Sequence, residues 1–407
     1  MRIFPMIALA AALAAPALAQ QPGTPPPSGV SDRAMQIYRA AYVIDMHNDL
    51  PSKIADDSVD PDVRHPADMK VQSDLPRLVE SGITAVFLSD FVDAKYALMK
   101  PDGSYARAVL LADSIHSFVN RNPKQLMFAT TAADVERAKK EGKVAILIGV
   151  EGGHAIEGSL DKLRDLYQRG TRYMTLTWNN GNSWAGSNAG LNHTSTGGLT
   201  PFGVQVIHEM NRLGIFVDIS HVSDSTFWDA IKASSMPVIA SHSSSRALSP
   251  HRRNMTDDMI RAVAKNGGVV NVNFYPGFID SAYSHAVARA EDAVMAWRDS
   301  ALKQPGADSA AIRAAAGKRA DSAVAAVPRP ALSVLLDHFD HIAKVAGVDH
   351  VGIGSDFDGI EVTPQQMEDV TMLPRIAQGL LDRGYSPDDV KKILGGNMLR
   401  VMKIVLK

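Results

Sequence analysis

The chain of 407 residues contains no cysteine, and this absence narrows its chemistry. It excludes a disulfide scaffold, a thiolate nucleophile and a zinc site with cysteine ligands. If the protein binds a metal ion, histidine, aspartate and glutamate must hold it.

The chain also lacks an excess of charge of one sign. Its 42 basic and 44 acidic residues give a formal net charge of −2, so we do not expect it to bind nucleic acid, which requires a basic surface. Its 30 glycines and 22 prolines follow no repeating period, which excludes collagen-like and low-complexity classes. With 45% hydrophobic and 21% charged residues, the composition is that of a globular protein.

One long apolar run is present, at the amino terminus. Residues 1–19 combine an early arginine, an apolar stretch and an Ala-Leu-Ala exit, which predicts a cleaved secretory signal peptide, with a membrane anchor as the alternative. Residues 20–31 form a Pro-rich leader. No later run approaches the ~20 apolar residues that span a membrane. We therefore expect a secreted or periplasmic protein without a transmembrane helix in the mature chain.

Short apolar runs rich in valine and isoleucine alternate with segments of helical pattern. The eight runs are residues 42–47, 84–89, 145–151, 173–178, 216–221, 237–242, 269–274 and 350–356. They are almost continuously apolar, which predicts parallel strands buried on both faces. Eight units of strand and helix favour a (β/α)8 TIM-like barrel, an α/β fold, as a single domain over residues 32–407. A doubly wound open sheet is the alternative.

Two segments depart from this rhythm. Residues 179–200, rich in Gly, Asn, Ser and Thr, predict a long ordered loop, and such loops in compact domains are usually functional. Residues 281–327, rich in Ala, Arg and Asp, predict a helical insertion between strands seven and eight. This insertion could cover the active site or form a contact between two copies of the chain, so a homodimer is one assembly that the sequence allows.

Polar side chains stand at the carboxyl ends of the apolar runs. They are His47 and Asp49 at the first run, Glu151 at the third, His221 at the fifth, His242 at the sixth and Asp356 at the eighth. In a barrel these ends meet at one rim, where barrel enzymes place their active sites. The buried carboxylates would repel one another unless cations neutralised them, and carboxylates mixed with imidazoles suit zinc. With two metal ions, Glu151 is the natural bridge, because a carboxylate has two oxygens.

Each of these residues has a simpler interpretation when it is taken alone. A single histidine at a strand end is more often a hydrogen-bonded structural residue than a ligand, so the prediction depends on the whole set. His338 and His341 lie three positions apart on a predicted helix and could imitate a ligand pair, but we expect a solvated or capping role for them. Asp358 is expected to be structural.

In combination, these motifs resemble those of the membrane (renal) dipeptidases, zinc hydrolases related to the amidohydrolase barrels. The motifs that carry the resemblance are IDMHNDLP (44–51), GVEGGHAI (149–156), GIFVDISH (214–221), IASHSSSRALSPHRRNMTDDMI (239–260) and HVGIGSDFDG (350–359). The resemblance extends from about residue 32 to residue 403. The first motif is H-x-D, where the wider amidohydrolase group usually has H-x-H, and this difference favours the dipeptidase family in particular.

The resemblance implies a site with two zinc ions per chain. His47 and Asp49 would hold one ion, His221 and His242 would hold the other, and Glu151 would bridge them. It also implies hydrolysis of the amide bond of small peptide substrates, dipeptides, including those with a D-residue at the carboxyl end.

Two further residues acquire roles through the resemblance. Asp356 would take a proton from the attacking water and pass it to the leaving amine. Arg253, eleven positions after His242, would bind the terminal carboxylate of the substrate, which the planar guanidinium suits. The simpler interpretation of Arg253 is a surface cation in an Arg-rich turn.

The pattern departs from the family at one position. Many members have histidine in a TLTH motif, where it contacts the scissile carbonyl, but this chain has TLTW with Trp178. Tryptophan cannot accept a proton, although its indole N–H can donate a hydrogen bond. Trp178 could therefore contact the substrate or merely pack against the 179–200 loop. His193, or an asparagine at 179, 180 or 182, could instead reach the carbonyl oxygen.

Two other functions remain open at this point. Another metal-dependent amidase or lactonase could use the same barrel, because fold does not fix the substrate. A non-catalytic binding protein could also retain the barrel, although a complete set of ligands argues against it.

Overall fold

The computed structural model describes residues 26–98, 102–190, 197–305 and 307–407. The predicted signal peptide, residues 1–19, lies outside the described residues, as do the first part of the Pro-rich leader and His193 of the long loop. None of the helices in the described ranges combines the length and the apolar composition that crossing a bilayer requires.

All the strands belong to one sheet, in which every neighbour is parallel. The strands are β1 (Ile44–Asn48), β2 (Ala85–Phe91), β3 (Leu126–Phe128), β4 (Val144–Glu151), β5 (Thr171–Thr175), β6 (Phe216–Asp218), β7 (Ile239–Ala240), β8 (Val269–Val272) and β9 (Val351–Ile353).

Eight of these strands close into a ring. β2 pairs with β1 on one side and with β4 on the other, and β1 pairs in turn with β9. β3 stands outside the ring, because it pairs with residues 144–146 at the start of β4, and β5 pairs with the residues that follow. The predicted (β/α)8 TIM-like barrel is therefore confirmed, and the open doubly wound sheet is wrong.

Sixteen α-helices surround and connect the strands in the described part of the chain. They are α1 (Asp32–Ala40), α2 (Leu50–Asp56), α3 (Leu75–Ser81), α4 (Gly103–Arg121), α5 (Ala132–Glu141), α6 (Leu160–Gln168), α7 (Pro201–Leu213), α8 (Asp224–Ala233), α9 (Asp257–Asn266), α10 (Pro276–Ile279), α11 (Ser281–Leu302), α12 (Ser309–Ala325), α13 (Leu332–Ala346), α14 (Pro374–Asp382), α15 (Pro387–Lys391) and α16 (Asn397–Val405). Several begin at a side-chain cap: the hydroxyl of Ser223 accepts the N–H of Thr226 at α8, which satisfies a backbone donor that the helix leaves free.

Each predicted apolar run overlaps a strand of the barrel, but β5 to β9 end before their runs do. β6 ends at Asp218, three residues before His221, and β7 ends at Ala240, two residues before His242. The intervening Ile219 and Ser220 are nevertheless buried. The apolar pattern reports burial, not the hydrogen-bond ladder, so His221 and His242 lie on the loops that follow β6 and β7.

The amino-terminal end of the barrel is closed by the last helix of the chain. Met398 and Met402 of α16 share a core cluster with Ile44 and Phe87 of the strands. Gly395 lies against the start of β1, where a Cβ would overlap the carbonyl oxygen of Tyr42. The opposite, carboxyl-terminal end therefore carries the opening of the barrel.

The predicted insertion is present between β8 and β9 as a pair of helices. α11 and α12 pack against each other, and α11 also packs against α10. The guanidinium of Arg319 lies 4.0 Å from the ring centre of Trp297, which links the two helices by a cation–π contact. Along α11 the buried residue is Tyr283, and along α12 it is Ala316. The pair therefore projects from the rim and adds little to the core.

Candidate active site

Six polar side chains meet at the carboxyl-terminal rim of the barrel, and all are buried. His47 is the next-to-last residue of β1, and Glu151 is the last residue of β4. The other four follow β1, β6, β7 and β9 in the chain. These four are Asp49, His221, His242 and Asp356. Because parallel strands end at one rim, residues more than 300 positions apart in the sequence become neighbours.

Glu151 lies at the centre of this cluster, and its two oxygens face different groups. Its Oε1 lies 2.9 Å from Nε2 of His221 and 3.4 Å from Nε2 of His242. Its Oε2 lies 3.4 Å from Nε2 of His47. The carboxylate thus stands between a pair of imidazoles on one side and a third imidazole on the other.

The second side of Glu151 contains two more carboxylates. Nε2 of His47 lies 3.2 Å from Oδ2 of Asp49 and 3.9 Å from Oδ1 of Asp356. Three overlapping groups have ligand atoms that all lie within 4.8 Å of one another. They are His47, Asp49 and Glu151; Glu151, His221 and His242; and His47, His242 and Asp356.

The three imidazoles are oriented through their other ring nitrogens. The hydroxyl of Ser241 donates to Oδ2 of Asp218 over 2.6 Å, and its oxygen lies 2.8 Å from Nδ1 of His242. A hydroxyl has one proton to donate, so His242 must carry its proton on Nδ1. Its Nε2 then presents a lone pair toward Glu151, the arrangement that metal-binding histidines use.

The other two histidines have different partners. Oδ1 of Asn179 lies 3.3 Å from Nδ1 of His221, and because that oxygen only accepts, the Nε2 of His221 is also free of a proton. The hydroxyl of Tyr173 lies 2.6 Å from Nδ1 of His47. Tyr173 and Asp218 were not predicted as site residues, although an aspartate inside the apolar run 216–221 was a signal for Asp218.

The charges of the cluster are not balanced without a cation. Burial would lower the pKa of His47, but the carboxylates of Glu151 and Asp49 outweigh it and hold that pKa well above its usual value. Burial and the charge of Arg253 lower the pKa of His221 to about 4. One imidazole therefore carries a proton between two carboxylates, the position that a bound cation would take with release of the proton.

The pKa values of the three carboxyl groups in the cluster are shifted in opposite directions. Burial raises the pKa of Asp49, and it raises the pKa of Asp356 to about 7. Burial also acts to raise the pKa of Glu151, but the charge of His47 outweighs it and brings that pKa well below its usual value. Only Glu151 is thus held firmly in its charged form by the side chains around it.

The residues present fit a divalent metal ion. Nε2 of His47 and Oδ1 of Asp49 are buried and, among the described residues, have no hydrogen-bond partner of acceptable geometry. Buried polar atoms are nearly always paired, so these two atoms require a ligand. Imidazole nitrogens and carboxylate oxygens are donors that a borderline metal accepts.

Residues 31–407 match the membrane dipeptidase family, peptidase family M19. The chain belongs to this family. It is therefore a hydrolase that cleaves the peptide bond of dipeptides, and the metal dependence of these peptidases accords with the clustered imidazoles and carboxylates.

Three solved structures are similar to this dipeptidase. The probable dipeptidase PvdM from Pseudomonas aeruginosa is 25% identical, with a TM-score of 0.80 over 92% of this chain and 98% of that one. A metallopeptidase from Rhodobacter sphaeroides, liganded with a phosphinate mimic of the dipeptide L-Ala-D-Ala, is 24% identical, with a TM-score of 0.71 over 90% of this chain and 99% of that one. An amidohydrolase from Pseudomonas aeruginosa is 21% identical, with a TM-score of 0.68 over 92% of this chain and 99% of that one. The last two likenesses concern the fold alone.

The cluster forms the floor of a cavity of ≈ 580 Å³ that opens at the rim. This volume lies within the range of small-molecule sites. Trp178 lines the wall, half-buried, with its ring 4.8 Å from that of Phe91 in an edge-on contact and 6.4 Å from that of His221. Asn179 also lines the wall.

The other candidates near Trp178 are placed differently. Asn182 is occupied within its loop, where its amide donates to the carbonyl of Leu176 and its oxygen accepts the N–H of Trp184. Among the described residues of the cavity wall, neither Asn180 nor Asn182 is present. The first residue of the 179–200 loop, Asn179, thus joins Trp178 at the cavity.

Asp356 is held in a fixed orientation beside the cluster. Asn273 donates from Nδ2 to Oδ2 of Asp356 over 2.9 Å, which leaves Oδ1 facing His47. Gly359 allows this approach, because a Cβ there would overlap the carboxylates of Asp49 and Asp356. Asn273, which follows β8 and completes the rim, was not predicted as a site residue.

Arg253 is buried behind the histidines rather than exposed in a turn. It donates to the hydroxyl of Ser243 and to the carbonyl of His242, each over 2.8 Å. Within the described residues it is not part of the main cavity wall, and it lines a small neighbouring cavity with His221. An arginine has five N–H donors, so three remain beyond these two hydrogen bonds.

Two other histidines and one aspartate lie outside the cluster. His338 is fully buried, with its ring nitrogens 3.0 Å from the N–H of Ser245 and 2.9 Å from the carbonyl of Ile279, so the expectation of a solvated role for it was wrong. His341 pairs with Asp257 at the start of α9. Asp358 accepts hydrogen bonds from the backbone of Gln72 and the hydroxyl of Ser73.

Proposed function

We propose that this dipeptidase works with two zinc ions that share Glu151. His47 and Asp49 would hold one ion, and His221 and His242 the other. The observation that carries this proposal is the division of the Glu151 oxygens, since Oε1 faces His221 and His242 while Oε2 faces His47. A carboxylate in this position can give one oxygen to each ion.

The reaction also needs groups that move protons. Bound zinc would supply Lewis acidity, which lowers the pKa of a water molecule and polarises the scissile carbonyl. Asp356 accepts the proton of the attacking water at Oδ1 and delivers it to the leaving amine. Asn273 keeps the other oxygen of this carboxylate in place.

Arg253 and Trp178 act on the substrate in this proposal. A pair of the remaining N–H donors of Arg253 binds the terminal carboxylate, which restricts the enzyme to one residue after the scissile bond. Trp178 narrows the cavity near the carbonyl and donates a hydrogen bond from its indole N–H. The support for both roles is their position around His221.

The substrates we propose are dipeptides, including those with a D-residue at the carboxyl end. The bound L-Ala-D-Ala mimic in the metallopeptidase from Rhodobacter sphaeroides supports this choice, as does the predicted export, because cell-wall material supplies such peptides in a periplasm.

Hydrolysis assays on L-Ala-L-Ala and L-Ala-D-Ala, with N-acetyl amino acids and lactones for comparison, test this function. We expect both dipeptides to be hydrolysed, the other two classes to be poor substrates, and all activity to disappear with a chelator and to return with zinc. Faster turnover of lactones or N-acyl amino acids than of any dipeptide would contradict the proposal.

A further inference from the structure

The wall of the cavity away from the metal cluster is made of apolar and aromatic side chains. They come from α10 and the residue before it, from the helical insertion and from the segment after β9: Tyr275, Phe278, Tyr283, Val324, Ile360 and Val362. The acidic floor and this apolar wall are two chemically different halves of one cavity.

The insertion contributes to the wall through its base. Tyr283 lies in the first turn of α11, where the carboxylate of Asp280 accepts the N–H groups of Ala282 and Tyr283. Val324 lies in the last turn of α12. Both residues line the same cavity, so the two turns meet at the rim. The rest of the pair is mostly exposed, so its contact with the cavity is made by these two residues.

Acidic residues also border the cavity, among them Asp56, Asp57, Asp93 and Glu361, and each of these four has a cation within 4.0 Å. Asp56 receives two hydrogen bonds from Arg107, over 2.8 and 2.7 Å, and Glu361 receives one from Lys70 over 2.9 Å. Asp57 lies 3.3 Å from Lys53. Because these cations offset the acidic charge, the preference of the cavity for a substrate side chain depends mainly on its apolar residues.

The apolar wall adjoins the end of the site where the substrate carboxylate would lie. The guanidinium carbon of Arg253 lies 5.6 Å from the ring centre of Phe278, and the ring of Phe278 is itself in edge-on contact with Tyr275 at 4.8 Å. A side chain next to a carboxylate held by Arg253 would therefore extend along these rings.

From this arrangement we propose that the wall is a subsite for the side chain of the carboxyl-terminal residue, that it takes apolar and aromatic side chains, and that the helical insertion helps to set this preference through Tyr283 and Val324. This inference rests on the proposed function, in which Arg253 holds the carboxylate. The preference follows from the transfer of apolar surface out of water.

The experiment compares kcat/KM for two dipeptide series, Ala-X and X-Ala, with X as alanine, leucine, phenylalanine or lysine. We expect the Ala-X series to favour phenylalanine and leucine over lysine by about tenfold or more, the scale on which apolar pockets discriminate. Ala-X is prepared with X in both stereochemical forms, so that side-chain preference is separated from the preference for D-residues.

Two variants locate the effect on the insertion. Val324→Asp places a charge in the subsite, and we expect about a tenfold loss on Ala-Phe, little change on Ala-Ala and a gain on Ala-Lys. Val294→Asp is the control, because Val294 is a half-buried valine of the same helix pair and is absent from the described cavity wall. It should keep the wild-type ranking.

The outcomes separate the two proposals. If Val324→Asp changes all substrates by the same factor, or if the X-Ala series shows the larger discrimination, the subsite is overturned while the dipeptidase function stands. If no dipeptide of either series is hydrolysed, the proposed function and the subsite both fail.

Discussion

At the scale of residues, the protonation of His242 depends on Ser241 and Asp218. Asp218 also accepts hydrogen bonds from the hydroxyl of Thr175 over 2.5 Å and from the backbone of Ser220 over 3.1 Å. Such saturation fixes the carboxylate in place, and through Ser241 it fixes the imidazole. Removal of a residue that orients a metal-binding histidine commonly lowers the metal affinity by about 10- to 100-fold.

Ser241→Ala should therefore weaken metal binding by about tenfold to a hundredfold without unfolding the chain. The measurement is a metal titration of the chelated protein. Ser245→Ala is the matched control, since Ser245 is a buried serine whose hydroxyl has no partner within the described part of the chain. Equal affinities in the two variants would show that the Ser241 contact does not orient His242.

Asp356→Asn should keep the metal and lose most of the turnover. Asparagine preserves the shape of the side chain and removes the base, and such groups typically contribute about 10²- to 10⁴-fold to the rate. The measurements are kcat and metal content of the same preparation. A variant with normal metal content and an unchanged kcat would assign the proton transfer to another group.

Two substitutions of Trp178 test whether its side chain contacts the substrate. Trp178→His should shift the ranking of dipeptide substrates, because it restores a group that can accept a proton. Trp178→Phe should lower kcat/KM by more than any loss of stability explains, because the indole donor is removed. If both variants keep the wild-type ranking and rate, Trp178 only packs against Phe91 and the neighbouring loop.

At the scale of elements, the sequence predicted the barrel strands better than their ends. The predicted runs that contain β6 and β7 extend to residues 221 and 242, because the side chains beyond the strands are buried as well. β3 was missed, since Leu126–Phe128 is three residues long and lacks valine and isoleucine. Helix starts such as that of α8 were predictable, because a serine cap acts on its own backbone.

Two glycines in different elements should respond oppositely to alanine. A Cβ at Gly149 in β4 would overlap the ring of Tyr173, whereas Gly317 in α12 faces open space. Gly149→Ala should destabilise the fold by about 1–3 kcal/mol through overpacking. Gly317→Ala should stabilise it by about 0.5–1 kcal/mol through helix propensity.

Chemical denaturation of the two variants and the wild type measures both effects. Because Tyr173 contacts His47, Gly149→Ala should also lower dipeptidase activity. A neutral Gly149→Ala variant would mean that the Tyr173 ring can move without cost.

At the scale of the whole molecule, the sequence predicted which residues approach one another but not how they are supported. His47, Glu151 and Asp356 could be placed at one rim because parallel strands end together. The partners that orient them, such as Tyr173 in β5 and Asn273 after β8, belong to other strand-and-helix units, and their contacts arise only when the barrel closes. The acidic floor and the apolar wall of the cavity likewise come from segments far apart in the chain.

We propose that two zinc ions share Glu151, and the metal content per chain tests this arrangement. We predict about two zinc ions in the wild type, loss from both positions in Glu151→Ala, and loss mainly from one in His221→Ala. A folded wild-type protein that hydrolyses dipeptides with no bound metal would contradict the account, and so would a Glu151→Ala variant that retains two ions.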